Sequence, residues 1–180
     1  MGGQGAVLAA HILSIAAFYE GMFSRSFATF GVERRGSPVT SFVMIGEKDE
    51  MTRSKIYYPN HIIVLDPHLP KYLNVVDGIK ENGTLTMNTV DSQEEVFNKI
   101  KIESKKLKLG VVDATSIAQE VLGRPITNTS MLGAFIKVSE VISLDSMLNS
   151  IKSRFQGDIL ENNLKATKTG FEKVKIRTSL

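Results

Sequence analysis

The first residues that could carry chemistry form a glycine-rich turn at the start of the chain, made of Gly2, Gly3, Gln4 and Gly5. This turn runs directly into an apolar stretch that is predicted to be a helix from Ala6 onward. The first N–H groups of a helix have no intrahelical partner, and the helix dipole favours negative charge, so the turn can bind an anion. Because the stretch is not a complete G-x-G-x-x-G fingerprint, a simple tight turn that starts the helix is the alternative.

A second candidate is the charged loop that carries Arg34 and Arg35 between Glu33 and Gly36. The guanidinium group presents a planar fork of donors that suits phosphate or carboxylate. The two arginines could therefore hold a diphosphate, a substrate carboxylate or an acidic patch on a partner chain. The alternative is a solvated loop with a local Glu–Arg ion pair, which would contribute little.

Polar side chains also follow several predicted strands, at Asp66, Asn88, Thr89, Asp113 and residues 128–130. In open α/β sheets, ligands bind in the crevice beyond the carboxyl ends of the strands. Asp66 and Asp113 could contact a ligand ribose, or each could cap the helix that is predicted to follow it. Asn128 and Thr129 could cap a helix predicted from Met131 and also offer polar groups to a ligand, and these two roles are compatible.

Several other chemistries are excluded or find no support. The chain has no cysteine, which rules out disulfides, thiol nucleophiles and cysteine-bound iron–sulfur clusters. None of His11, His61 and His68 has a second histidine at metal-ligand spacing, and no G-x-S-x-G elbow is present. We therefore predict no catalytic residue and no metal site. If this chain takes part in redox chemistry, another chain carries the electrons.

Composition narrows the class of protein. A length of 180 residues suits one domain spanning 1–180, and a net charge of +3 is too small to indicate nucleic-acid binding. No apolar run approaches the roughly 20 residues of a membrane span. No basic leader with a cleavable apolar segment is visible, so we expect a cytoplasmic protein without membrane partners.

Strands that alternate with helices must position the polar residues above. Helices are predicted over residues 6–19, 68–79, 91–100, 114–122, 131–138, 144–155 and 159–174. Strands are predicted over residues 23–30, 39–45, 62–66, 84–88 and 110–113. This order indicates an α/β fold: a single domain with a doubly wound, mainly parallel sheet and helices on both faces.

Six short segments follow one another along nearly the whole chain: GGQGAV from Gly2, FGVERRGSPV from Phe30, VLD from Val64, NT from Asn88, VDAT from Val112 and NTSMLGA from Asn128. In this order they resemble the gamma subunit of 2-oxoacid:ferredoxin oxidoreductases, of the pyruvate or 2-oxoisovalerate type. The ERRG-x-P and NT-x-MLGA segments, at this separation, are the most specific part of the resemblance.

The resemblance implies a division of labour in a hetero-oligomer. Thiamine diphosphate and the iron–sulfur clusters belong to partner subunits of the alpha, beta and delta types, in agreement with the absence of cysteine here. The family reaction decarboxylates a 2-oxoacid, passes two electrons to ferredoxin and forms an acyl-CoA. The gamma module is associated with coenzyme A binding and with closing over the active centre.

The resemblance also implies which residues contact coenzyme A or the adjoining subunit: Gly2, Gly3, Gln4, Gly5, Arg34, Arg35, Asn128 and Thr129. Family members usually have a strand before the glycine turn, whereas only Met1 precedes it here. If Met1 is the true start, we expect an unstable isolated subunit, because losing a central strand exposes unpaired backbone edges. Two alternatives stay open, namely a free-standing nucleotide-binding protein and a purely structural subunit.

Overall fold

The computed structural model describes residues 5–30, 39–48, 55–100 and 106–178. Six helices lie in this part of the chain: α1 (Ala6–Tyr19), α2 (Gln93–Ile100), α3 (Ala114–Leu122), α4 (Asn128–Ser139), α5 (Leu144–Arg154) and α6 (Gly157–Lys173). The six strands are β1 (Phe23–Phe30), β2 (Val39–Gly46), β3 (His61–Val64), β4 (Thr84–Asn88), β5 (Lys108–Val112) and β6 (Lys175–Thr178).

Four strands form the main sheet in the order β3-β4-β5-β6. The first three are parallel, with His61 opposite Thr84 and Thr84 opposite Lys108, and β6 runs antiparallel to β5. All five residues of β4 are buried, as expected for a central parallel strand that is covered on both faces. The predicted α/β fold with a mainly parallel sheet is confirmed.

Helices cover both faces of this sheet because successive side chains of a strand point to opposite sides. Leu85 of β4 and Leu109 of β5 share an apolar cluster with Val96 of α2. On the other face α4 packs across β3, β4 and β5. Gly110 of β5 lies so close to Val138 of α4 that a Cβ at this position would overlap the valine side chain.

A separate antiparallel hairpin is formed by β1 and β2, with Phe23 opposite Gly46. The rings of Phe27 and Phe42 stack across the hairpin, with centroids 5.1 Å apart. Helix α1 packs on both strands and on α5. Its sequence is apolar on nearly every side, which fits a helix whose Ile12 and Ala16 are fully buried.

Helices α4 and α6 cross in direct backbone contact. A Cβ on Gly133 would overlap the carbonyl oxygen of Thr167, and a Cβ on Gly170 would overlap the carbonyl oxygen of Ser130. Only glycine fits at these two positions. Beside this contact the Thr129 hydroxyl donates a 2.9 Å hydrogen bond to Asn163 Oδ1. The crossing therefore fixes the first turn of α4 against the middle of α6.

The predicted helix over residues 68–79 is wrong. The structure has only a short 3-10 turn, Leu69–Lys71, followed by irregular turns. Asn74 explains part of this difference, because its Oδ1 accepts a hydrogen bond from the Val76 N–H at 3.3 Å and so competes with helix formation. Gly78 then adopts a φ of +71°, which an α-helix does not contain.

Two further differences concern the last strand and the first residue of α4. Strand β6 was not predicted, because its four exposed residues have no apolar face to signal a strand. Helix α4 begins at Asn128 with Thr127 as its N-cap residue, three positions before the predicted start at Met131. Asn128 and Thr129 therefore belong to the first turn of α4 and do not precede it.

Candidate functional site

The carboxyl ends of the parallel strands define one edge of the sheet, and α4 begins at this edge. Met131, in the first turns of α4, shares an apolar cluster with Leu65 and Val112. Leu65 directly follows β3, and Val112 is the last residue of β5. At the opposite edge the ring of Phe135 lies 5.8 Å from the ring of His61, the first residue of β3. Helix α4 thus runs antiparallel to the strands, with its N-terminus at the ligand-binding edge of such folds.

Gly5 brings the N-terminus of α1 to the same place. A Cβ on Gly5 would lie 2.6 Å from Asn128 Nδ2, and its φ of +80° is one that other residues rarely adopt. Within the described residues, no side chain caps α1 or α4. Two helix N-termini therefore meet side by side, and both dipoles favour an anion there.

Asn128 stands between these two helix ends. The residue is 2% exposed, and its Oδ1 accepts a hydrogen bond from the Thr129 N–H at 2.9 Å. Within the part of the chain that the structure describes, Asn128 Nδ2 makes no hydrogen bond. Asn128 lines the cavity described below, so its free amide donor can be reached by a ligand acceptor.

The other polar side chains at the start of α4 differ in whether they have hydrogen-bond partners. The Thr129 hydroxyl is fully buried and bonded to Asn163, so it supports the helix start and is not directed at a ligand. The hydroxyls of Thr127 and Ser130 are buried and find no hydrogen-bond partner among the described residues. The first turn of α4 therefore concentrates polar groups that the described protein residues do not satisfy.

The two aspartates at this edge have local roles. Asp113 Oδ1 accepts a hydrogen bond from the Ser116 N–H at 2.9 Å and caps α3, which confirms the capping alternative for this residue. Asp66 Oδ1 accepts a hydrogen bond from the His68 N–H at 2.9 Å, but no α-helix follows it. Asp66 is buried, and it also borders the cavity described below.

Asn88 has a role that the sequence did not reveal. Its Nδ2 donates to the Leu65 carbonyl at 2.8 Å and to Thr115 Oγ1 at 2.9 Å. Its Oδ1 accepts from the Ala114 N–H at 3.0 Å and from the Thr115 N–H at 3.3 Å. This buried side chain joins the ends of β3 and β4 to the start of α3, and the only signal for it was its place at the end of a predicted strand.

A cavity of about 1350 Å³ opens from this edge along β3, and its wall includes Gly5, Asp66 and Asn128. Its size is sufficient for a nucleotide-like ligand. Lys55 and Lys80 also line it. His61 does not add a positive charge, because burial lowers the pKa of its ring, whose Nδ1 lies 2.9 Å from Thr84 Oγ1.

The structure therefore brings together Gly5, Asn128 and Thr129 from the predicted site. Five other predicted site residues lie outside the described residues, namely Gly2, Gly3, Gln4, Arg34 and Arg35. Among the described residues, no group of three or more histidines and carboxylates is arranged to hold a metal ion. In the same part of the chain no helix is long and apolar enough to cross a membrane.

Comparison with known proteins identifies the family. The model of the pyruvate ferredoxin/flavodoxin oxidoreductase family matches residues 1–173. The common gamma subunit of the pyruvate/ketoisovalerate oxidoreductases of Pyrococcus abyssi is 49% identical over 97% of this chain and 94% of its own length.

Solved structures are also similar to this chain. The crystal structure of pyruvate oxidoreductase subunit PORC from Thermotoga maritima superposes with a TM-score of 0.82 at 33% identity, covering 97% of this chain and 92% of that one. A 2-oxoglutarate:ferredoxin oxidoreductase from Magnetococcus marinus, solved with coenzyme A, shares the fold at a TM-score of 0.67 and 17% identity, covering 94% of this chain and 28% of that one. This chain belongs to the pyruvate ferredoxin/flavodoxin oxidoreductase family, as a gamma-type subunit.

Proposed function

We propose that this gamma-type subunit binds the diphosphate part of coenzyme A where α1 and α4 begin, and closes over the active centre of the oxidoreductase. The observation that carries the proposal is the Nδ2 of Asn128, which lies beside Gly5 at the start of two helices and makes no hydrogen bond within the described residues. A phosphate oxygen would accept a hydrogen bond from this amide and from the free N–H groups of the first turn of α1. Support also comes from the coenzyme A bound to the oxidoreductase of Magnetococcus marinus, which shares the fold.

The remaining predicted site residues complete this proposal. Gly2, Gly3 and Gln4 would add backbone donors next to Gly5, because a glycine turn allows the close approach of a phosphate. Arg34 and Arg35 would contact the second phosphate or the adjoining subunit through their planar guanidinium groups. In this proposal Thr129 acts indirectly, through its hydrogen bond to Asn163, which holds the first turn of α4 in place.

The proposed reaction is the oxidative decarboxylation of pyruvate or 2-oxoisovalerate to an acyl-CoA with reduction of ferredoxin. The relative from Pyrococcus abyssi is named as common to pyruvate and ketoisovalerate oxidoreductases, which supports both substrates. Thiamine diphosphate and the iron–sulfur clusters would lie on alpha, beta and delta partner subunits in the cytoplasm. This chain, acting as one domain over 1–180, would contribute positioning and exclusion of water, and no catalytic residue.

The proposal can be distinguished from the two alternatives, a free-standing nucleotide-binding protein and a purely structural subunit. A free-standing nucleotide-binding protein would need no partner, whereas the curated relative is named as a subunit shared by two oxidoreductases. A purely structural subunit would have no reason to bring two helix N-termini and a free amide donor together at the wall of a cavity.

The experiment that tests the proposal is a titration of coenzyme A into the assembled complex that carries Asn128→Asp. The new carboxylate removes the donor and repels the diphosphate, so we expect the Kd for coenzyme A to rise about 10–100-fold. Asn98→Asp, at an exposed position of α2, is the matched control and should leave the Kd unchanged. The KM for the 2-oxoacid should stay the same in both complexes.

An unchanged Kd for coenzyme A in the Asn128→Asp complex would overturn the assignment of this site. The arginine loop is tested separately, with the double change of Arg34→Ala and Arg35→Ala. A loss of affinity for coenzyme A in that variant supports a ligand contact, whereas a loss of subunit assembly with intact affinity assigns the loop to the interface.

A further inference from the structure

Helix α1 differs from the other helices in the face that it exposes. Among the six helices in the described part of the chain, it alone contains no lysine, arginine, aspartate or glutamate. Helix α4 is also largely apolar, but ten of its twelve residues are buried and its one exposed residue is Lys137. A helix that is apolar on every side belongs in an interior. Helix α1 nevertheless leaves one face uncovered, so the described residues do not complete its surroundings.

The uncovered face is a continuous stripe along the helix. It consists of Val7, His11, Ile15 and Phe18, whose spacings of three and four place them on one side of α1. Val7 is 47% exposed and Phe18 is 75% exposed, while His11 is exposed and Ile15 is half-buried. At about 1.5 Å per residue, this α1 stripe is about 16 Å long. Three of its four side chains are apolar.

Two more exposed aromatic residues widen the α1 stripe at its C-terminal end. The ring of Tyr19 stands edge-on to that of Phe18, with centroids 6.4 Å apart, and Tyr19 is 47% exposed. Phe23, the first residue of β1, is 53% exposed. Aromatic residues are enriched in protein interfaces and among the residues that contribute most to binding. Contiguous exposed apolar surface of this kind marks an interaction site.

The α1 stripe lies on a different side of the helix from the cavity. Ala10 and Leu13 line the cavity. On the side of α5, the Ser150 hydroxyl donates a 2.6 Å hydrogen bond to the Ile12 carbonyl. The stripe meets the cavity only at Val7, in the first turn of α1. One end of the stripe therefore lies beside the proposed ligand site, and the other end carries the exposed aromatic rings.

We propose that the α1 stripe docks into an apolar groove on the partner subunit that holds the active centre. A helix presents such a face to a groove through residues spaced by three and four, as these are. The inference rests on the proposed function, because a ligand bound beside Gly5 must reach the active centre and the stripe begins one turn away. A second copy of this chain could not supply that centre, since in the proposed function the chain has no catalytic residue. Continuity with the ligand site therefore favours the subunit that holds the active centre.

The first test measures whether assembly covers the α1 stripe. The chain has no cysteine, so a cysteine introduced at one position is its only thiol. His11→Cys should react with a maleimide in the isolated chain and at least tenfold more slowly in the assembled complex. Asn98→Cys, at an exposed position of α2, is the matched control and should react at the same rate in both states. The label is read from the mass of this chain alone. Equal rates for His11→Cys in the two states would overturn the proposal.

The second test measures whether the α1 stripe contributes to assembly. Phe18→Glu places a charge at a position that is exposed in the isolated chain, so its melting temperature should not change. The Kd for the partner subunits should rise at least tenfold, because docking would bury an unpaired charge. Ile176→Glu changes an exposed apolar residue of β6, at an edge of the main sheet, and should assemble normally as the matched control. Normal assembly of the Phe18→Glu chain would contradict the proposal.

The outcomes separate docking from coenzyme A binding. A defect of assembly in Phe18→Glu, together with an unchanged Kd for coenzyme A in Asn128→Asp, would support the docking face and overturn only the ligand site. Two results, each in a complex that assembles normally, would overturn the docking proposal. Dimers of the isolated chain that Phe18→Glu dissociates would assign the stripe to a second copy. Binding to phosphatidylcholine vesicles that Phe18→Glu abolishes would assign it to a lipid surface.

Discussion

The helices of this chain begin in two different ways. Helices α2, α3 and α5 have their first N–H groups satisfied by their own side chains, through Ser92, Asp113 and Ser143. Helices α1 and α4, which meet at Gly5 and Asn128, have no side-chain cap in the part of the chain that the structure describes. Helix α6 also lacks one, but it begins at the exposed Gly157, where water can satisfy the backbone. Capped starts serve stability, whereas the uncapped pair is where we propose that the ligand binds.

The contrast between capped and uncapped helix starts indicates which substitutions should change ligand binding and which should change only the stability of the fold. Changes at a capped helix start should lower the free energy of unfolding and leave coenzyme A binding intact. Changes at Gly5 or Asn128 should alter binding in the assembled complex. The predictions below follow this separation, from the largest expected effect to the smallest.

Asn88→Ala should have the largest effect on stability, because the Asn88 side chain joins the ends of β3 and β4 to the start of α3. The change leaves the Leu65 carbonyl and the Ala114 N–H buried without partners. We expect the free energy of unfolding to fall by about 3–4 kcal/mol. Urea denaturation measures this, with Asn98→Ala on the exposed side of α2 as the control. A loss below 1 kcal/mol would show that water replaces these bonds and that Asn88 does not hold the edge.

Gly5→Ala should weaken coenzyme A binding and also lower stability. The methyl group would lie 2.6 Å from Asn128 Nδ2, and the φ of +80° costs an alanine about 1–2 kcal/mol. Gly21→Ala is a matched control, since Gly21 has a φ of +76° and no atom within 4 Å of the added Cβ. Both variants should lose stability through the positive φ, Gly5→Ala more because of the overlap with Asn128, but only Gly5→Ala should raise the Kd for coenzyme A, by about tenfold. Equal Kd values would remove Gly5 from the site.

Asp113→Ala should affect stability alone. It removes the cap of α3, which is worth about 1 kcal/mol, and it leaves the unpartnered amide of Asn128 untouched. Asp113→Asn keeps an acceptor for the Ser116 N–H and should recover most of the loss. Thermal melting and a coenzyme A titration measure the two quantities separately. A Kd that rises with Asp113→Ala but not with Asp113→Asn would show that α3 also belongs to the ligand site.

Glu20→Gln should have the smallest effect, and it should depend on pH. The Glu20 carboxylate accepts a hydrogen bond from the Ser143 N–H at 2.8 Å, and hydrogen bonds from Ser143 lower the pKa of this carboxyl below its ordinary value of 4.5. A carboxyl whose pKa is lowered on folding stabilises the protein above pH 4.5 and loses that contribution as the pH falls through the lowered pKa. The difference in melting temperature between the two proteins should therefore shrink on acidification. A constant difference would contradict this.

Much of the fold could be predicted from local sequence. The boundaries of α1 and α3 follow from their apolar patterns and from the glycines at positions 21 and 123, and the structure reproduces both. The central strands β4 and β5 are short apolar runs between turn residues. By contrast, β6 becomes a strand only because Val111 pairs with Lys175, a contact that no local pattern announces. The turns after β3 follow from Asn74 and Gly78, whose effect outweighs the helical spacing.

The site was predictable in part for the same reason. A glycine turn before an apolar helix signals an anion site locally, and the polar residues after the strands signal an edge. The approach of Gly5 to Asn128 joins positions that are far apart in the sequence, and it depends on the direction of α4. The hydrogen bonds of Asn88 to Thr115 and of Thr129 to Asn163 likewise join residues that only the folded chain brings together.

The glycine contacts between α4 and α6 have a mechanical consequence. Where two backbones touch, no side chain can change rotamer to absorb a displacement, so the helices must move as one body. The N-terminus of α4, with Asn128, is therefore coupled to α6 through Gly133 and Gly170. Any closing motion that carries coenzyme A toward an active centre would take this pair of helices along intact, and its hinge would lie in the loops that join them to the sheet.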